Sequence, residues 1–113
     1  FTLAEARGLD APALTASYLA ERPARFFGID DRKGAIAPGR DADLVVLERG
    51  RFPWDEARAH DGLRWSPFHG DTFTTRVAAT WLRGRPAFDG AAIVNEPGSG
   101  RYVRRATTGW YGS

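Results

Sequence analysis

The residues that could do chemistry are few and scattered. Asp41 and Asp43 flank one alanine in "PGRDADLVVLE", and Asp55 is followed by Glu56. Either pair of carboxylates is a candidate for general acid/base work, and the competing reading is a turn or cap residue that accepts nearby backbone N–H groups. The two histidines, His60 and His69, are nine positions apart, a separation with no helical or strand logic for sharing a metal. Ser17, Ser66 and Ser99 lack the G-x-S-x-G elbow of an activated nucleophile. "EPGSGR" is glycine-rich, but neither a helix nor Gly-Lys-Ser/Thr follows it, so it does not read as a phosphate cradle. No self-sufficient catalytic constellation emerges, and no residue of this chain is assigned as catalytic or as a metal ligand.

Composition bounds the rest. The 113 residues are 42% hydrophobic and 12% aromatic, enough for one folded domain. Neither a stretch of about 18 apolar residues nor a basic-then-apolar leader is present in what is given, so no membrane partner is expected. Cysteine is absent, which excludes disulfides and thiolate metal sites and fits a reducing, cytoplasmic location. Methionine is absent as well, and the expectation is a piece of a longer protein. Fifteen arginines against one lysine, Lys33, suit phosphate recognition. The net charge is only +2, however, and the arginines are spread among acids rather than gathered in a stripe, so nucleic acid is not an expected partner.

The elements that must position these groups are legible in turn chemistry and periodicity. Asp10 before Pro12 marks a helix start, with Leu14, Tyr18 and Leu19 on one face. Pro23 should interrupt it, leaving a second short helix over "PARFFG" that Gly28 closes. Ile36-Ala37 should form a brief strand before a Pro38-Gly39 turn, and "DLVVLE" a strand covered on both faces. Residues 51–71 read as a long loop with a helical turn near Asp55 to Arg58, its aromatic residues packing on something. "TFTTRVAATWLRGRPAFDG" reads as a β-hairpin turning at Arg83-Gly84, with a last short strand at Ala92 to Val94 and a glycine-rich, basic and aromatic tail beyond it.

In this order, "ERPARFFGIDDRKGAIAPGRDADLVVLE", "SPFHG", "RVAATWLRGRPAFDG" and "GSGRYVRR" resemble the C-terminal end of the cyclic amidohydrolases, the family of allantoinase, dihydropyrimidinase/hydantoinase and dihydroorotase. The likeness covers about residues 20 to 105. It departs at Glu21-Arg22, where the family has Glu-Asn, and at Ala87-Phe88-Asp89-Gly90, one residue shorter than the common pattern. The resemblance implies a mixed α/β piece. Residues 1–30 would be the last helices of a TIM-like barrel, residues 31–95 the β-rich part of a small sandwich domain, and residues 96–113 a tail. It further implies a binuclear zinc or similar divalent metal centre in the parent protein, with ligands outside this chain, and a small cyclic amide as substrate. In such enzymes the metals activate the water that attacks the ring amide carbonyl, and an aspartate passes its proton to the leaving nitrogen. The implied partners are the remaining barrel and sandwich strands and, through Tyr102, Arg104 and Arg105 as interface or packing residues, a neighbouring subunit of a homo-oligomer. "RWSPFHG" and "TWLRGRPAFDG" tilt the resemblance toward allantoinase. The alternative is a free-standing β-rich interaction domain that binds an acidic partner through its Arg/Trp-rich loop and tail.

Overall fold

Asp10 accepts the Ala13 N–H at 3.0 Å and, with proline in the first turn, opens helix α2 (Ala11–Ala16). The computed structural model describes residues 1–59 and 61–106. Pro23 does not break the helix as expected. A π-helical turn (Ser17–Glu21) carries the chain from α2 directly into α3 (Arg22–Phe27), and Pro23 sits in the first turn of α3. The wider i→i+5 turn relieves the crowding that a proline ring imposes on the carbonyl four residues back, and its missing N–H is one the helix start does not use. Gly28, at φ 66°, closes α3 with paired bonds from Gly28 N–H to the Arg25 carbonyl and from Ile29 N–H to the Ala24 carbonyl. A five-residue helix, α1 (Thr2–Ala6), precedes these and was too short to show a period in the sequence.

The sheet is an antiparallel meander of β1 (Leu44–Pro53), β2 (Thr72–Leu82) and β3 (Arg85–Phe88), in that spatial order. Arg83 at φ 50° and Gly84 at φ 76° form the two-residue turn expected between β2 and β3, of the primed kind whose twist matches the strands. Register shifts at Val46/Leu47 and Arg49/Phe52 bend the β1–β2 pair. Two expected strands are not strands. Ile36-Ala37 carries no regular structure, and Ala92 to Val94 is reduced to one bridge, Phe88 to Ile93. Residues 51–53 belong to β1 rather than to the loop, and the anticipated helical turn is a 3-10 turn, Glu56–Arg58, capped by Asp55. No helix among the described residues is long and apolar enough to cross a membrane.

These elements make little core. Among the described residues only Ala11 and Ala24 are buried apolar side chains. The apolar run of β1 has no covering layer among the described residues, and Val45 and Val46 are 61% and 48% exposed where coverage on both faces was expected. The radius of gyration is 16.1 Å, against about 13 Å for a compact domain near this size. The accessible surface is 9001 Å², about 2,900 Å² more than a compact monomer of this mass exposes.

Candidate functional site

The Asp-Ala-Asp stretch sits where three pieces of backbone meet: the loop after α3, the entry to β1 and the β2–β3 turn. Gly34 brings the loop against the helices. Its φ is +87°, and a Cβ there would lie 2.6 Å from the Ala24 Cβ and 3.0 Å from the Ala20 carbonyl oxygen, so only glycine lets this backbone approach. Lys33, one residue earlier, is thereby aimed at both carboxylates. It pairs with Asp41 at 2.8 Å and with Asp43. Arg32 Nη2 donates to both oxygens of Asp41, at 3.1 and 2.9 Å.

Asp43 also reaches the hairpin. Its Oδ1 accepts the Arg83 N–H at 2.8 Å, while the Ala42 carbonyl accepts the Gly84 N–H at 3.0 Å. Arg40 Nη1 donates to the Lys33 carbonyl at 3.0 Å and closes the loop on itself. The backbone acceptor role expected for these carboxylates is thus correct for Asp43, with a partner 40 residues away, whereas Asp41 spends its oxygens on two cations.

The electrostatics show what the cluster can do. Burial works against the Lys33 ammonium, but hydrogen bonds and charge from Asp41 and Asp43 outweigh it and hold the lysine above its ordinary value. The Lys33 ammonium, and then the Arg32 guanidinium, hold Asp41 below the usual carboxylate range. Two cations and two anions balance, and both shifts run away from neutrality. A general acid or base needs the opposite, a proton exchanged near the working pH. The arrangement is a clamp joining loop, strand and turn.

The other candidates are likewise engaged. Asp55 Oδ1 accepts the Ala57 N–H at 2.9 Å as a cap. Glu56 Oε2 accepts the Ser66 N–H at 3.0 Å, and the Glu56 N–H points to His69 Nδ1 at 3.4 Å. Ser66 Oγ accepts from Trp54 Nε1 at 3.0 Å and from the Phe68 N–H at 3.2 Å. Trp54 and Phe68 both meet Phe73 edge-on, so these two aromatic residues of the loop pack on β2. Ser99 Oγ accepts from Asn95 Nδ2 at 3.0 Å. His60 lies outside the described residues. Among the described residues no three of His, Cys, Asp or Glu gather as a metal would require.

Tyr102, Arg104 and Arg105 lie exposed on a segment without regular structure, Tyr102 with 86% of its surface open. The segment is tied back to the helices by the Ala106 N–H, which donates to the Gly28 carbonyl at 2.8 Å. Three features went unread in the sequence: the Lys33 pairing, the Arg83 turn as an acceptor's target, and the junction in which Thr74 bonds to Thr2 and Glu5 of α1. That the chain's sole lysine, Lys33, stands directly before Gly34 was the one available signal for the first.

Residues 14–88 match the model of the amidohydrolase family. The D-phenylhydantoinases of Escherichia coli strains K12/DH10B and SE11 are each 34% identical over 84 residues, which are 74% of this chain and 18% of theirs. A solved D-hydantoinase superposes with a TM-score of 0.82 at 26% identity, covering 90% of this chain and 22% of that one. The D-hydantoinase (dihydropyrimidinase) from Thermus sp. gives 0.74 at 32% identity over 80% of this chain and 20% of its own. An open three-stranded antiparallel sheet with helices before it, similar to part of a hydantoinase, defines a small α/β segment of a cyclic amidohydrolase. The chain belongs to the amidohydrolase family, on its hydantoinase/dihydropyrimidinase side. It spans about a fifth of the length of these relatives. They are hydantoinases, so the tilt toward allantoinase finds no support in them.

Proposed function

We propose that this chain is the C-terminal structural part of a metal-dependent cyclic amidohydrolase that opens a hydantoin-like ring by hydrolysis, with its metals and catalytic groups held elsewhere in the protein. In this reading residues 1–30 are the last helices of a TIM-like barrel, residues 31–95 the β-rich part of a small sandwich domain, and residues 96–113 a tail. Its partners are the remaining barrel and sandwich strands and a second subunit, which meets Tyr102, Arg104 and Arg105. The enzyme works in the cytoplasm, and this chain alone is inactive.

The observation that carries the proposal is likeness to hydantoinases over most of this chain joined to an uncovered sheet. Covering the surplus of about 2,900 Å² on this one side would bury about 5,800 Å² over both partners, well above the roughly 2,000 Å² at which permanent interfaces begin. The unpaired outer edge of β1 offers ten residues of strand to a neighbour. A free-standing interaction domain would leave both features, and the hydantoinase likeness, unexplained.

The test offers the whole protein, of which this chain is one part, hydantoin, a 5-substituted hydantoin, allantoin and dihydroorotate, with ring opening followed by mass spectrometry of the carbamoyl product. Opening of the hydantoins in preference to the other rings is expected. A protein that opens none of them, or that favours allantoin, overturns the assignment.

A further inference from the structure

Between the β2–β3 turn and the turn formed by residues 96–99 lies a cleft of about 580 Å³ that the amidohydrolase reading does not use. This is within the range of about 300 to 1,000 Å³ common for small-molecule sites. Arg83, Arg85 and Arg101 line it against a single carboxylate, Glu96, and Leu82 and Val94 supply apolar wall.

The two walls are fixed to each other. Arg83 is held at its backbone by Asp43, and its Nη2 donates to the Ser99 carbonyl at 2.6 Å. The opposite turn is braced by the Ser99 N–H on the Glu96 carbonyl at 3.2 Å and by Asn95 on Ser99 Oγ. The Arg85 and Arg101 side chains make no hydrogen bond or ion pair with the described residues, and the Arg83 side chain spends only part of its five-donor fork.

Three arginines and one glutamate line the cleft, a local excess of positive charge. Like charges brought together repel, and an anion that accepts from their forks relieves the repulsion with charge-assisted, bidentate bonds. We propose that this cleft is an anion site, taking a small molecule that bears a phosphate or carboxylate group on the arginines and lays its carbon part against Leu82 and Val94.

The test is isothermal titration of the protein at low salt with inorganic phosphate in one arm and succinate in the other, repeated on Arg85→Gln, Arg101→Gln and the distant control Arg58→Gln. All three arginines are exposed, and circular dichroism verifies that each variant is folded. Saturable binding of one site per chain is expected, weakened about tenfold or more by Arg85→Gln and by Arg101→Gln, as for loss of one charge-assisted hydrogen bond, and unchanged by Arg58→Gln. Tighter phosphate marks a phosphorylated ligand, and tighter succinate a carboxylate. No saturable binding of either probe, or binding that the cleft variants leave unchanged, overturns the proposal.

Discussion

Replacing Gly34 with alanine tests whether the Lys33 loop is held against the helices by backbone contact. At φ +87° any side chain meets the left-handed penalty, about 1–2 kcal/mol. The new methyl would also stand 2.6 Å from the Ala24 Cβ, 3.0 Å from the Ala20 carbonyl oxygen and 3.3 Å from the Glu21 Cα, far inside normal contact. Backbone at two of these three atoms cannot swing away, so overpacking adds about 1–3 kcal/mol. Gly39 supplies the internal control. Its φ is +85°, yet a Cβ there meets nothing within 4 Å, so Gly39→Ala carries the conformational penalty alone. Urea denaturation of the protein and both variants, with unchanged slopes, should place Gly34→Ala below Gly39→Ala by about 1–3 kcal/mol. Equal losses would refute the contact between loop and helix, and with it the account of how Lys33 is aimed.

Other consequences are measurable in the same way. Asp41 is held low in the folded chain, so its pairing contributes fully above the ordinary carboxylate range and is lost as pH falls below about 4; Lys33 is held high, and its contribution is lost as pH rises past about 10. Asp41→Asn should therefore flatten the acid limb of a stability-against-pH curve, while Asp89, held low by the Ala92 and Ala91 N–H groups, preserves part of it. Trp54→Phe keeps the ring against Phe73 but deletes the bond to Ser66, and should cost about 0.5–1.5 kcal/mol while speeding amide exchange at Ser66 and Phe68. If the tail meets a second subunit, changing Tyr102, Arg104 and Arg105 together to alanine lowers the mass seen by light scattering without lowering the unfolding midpoint of the dissociated chain. An unchanged mass would remove that role.

What was legible in the sequence was local. The Asp10 cap, the Gly28 stop, the Asp55 turn and the Arg83-Gly84 hairpin each depend on a few consecutive residues whose backbone preferences agree. Strand identity at Ile36-Ala37 and Ala92 to Val94 failed because a strand exists only with a neighbour, which composition does not reveal. The apolar run of β1 was read correctly as a strand, but its coverage depends on material beyond it in space. The clamp was half legible. "PGRDAD" announced a turn into a strand, whereas the choice of Lys33 and Arg32 for Asp41, and of a turn amide 40 residues on for Asp43, is tertiary geometry. The family was recognisable because several weak motifs kept their order, a property that survives the loss of any one of them.

The central claim is that Asp41 and Asp43 hold this segment together and that ring-opening chemistry is done elsewhere in the protein. Its most direct test is the kcat for hydantoin ring opening by Asp41→Asn beside the unmodified protein, each assayed well below its own unfolding midpoint. A lowered midpoint and a kcat unchanged within about twofold are expected, since about 1.4 kcal/mol of transition-state stabilisation would already cost tenfold. A kcat lowered by orders of magnitude at an unchanged midpoint would contradict it and return the carboxylate pair to the chemistry.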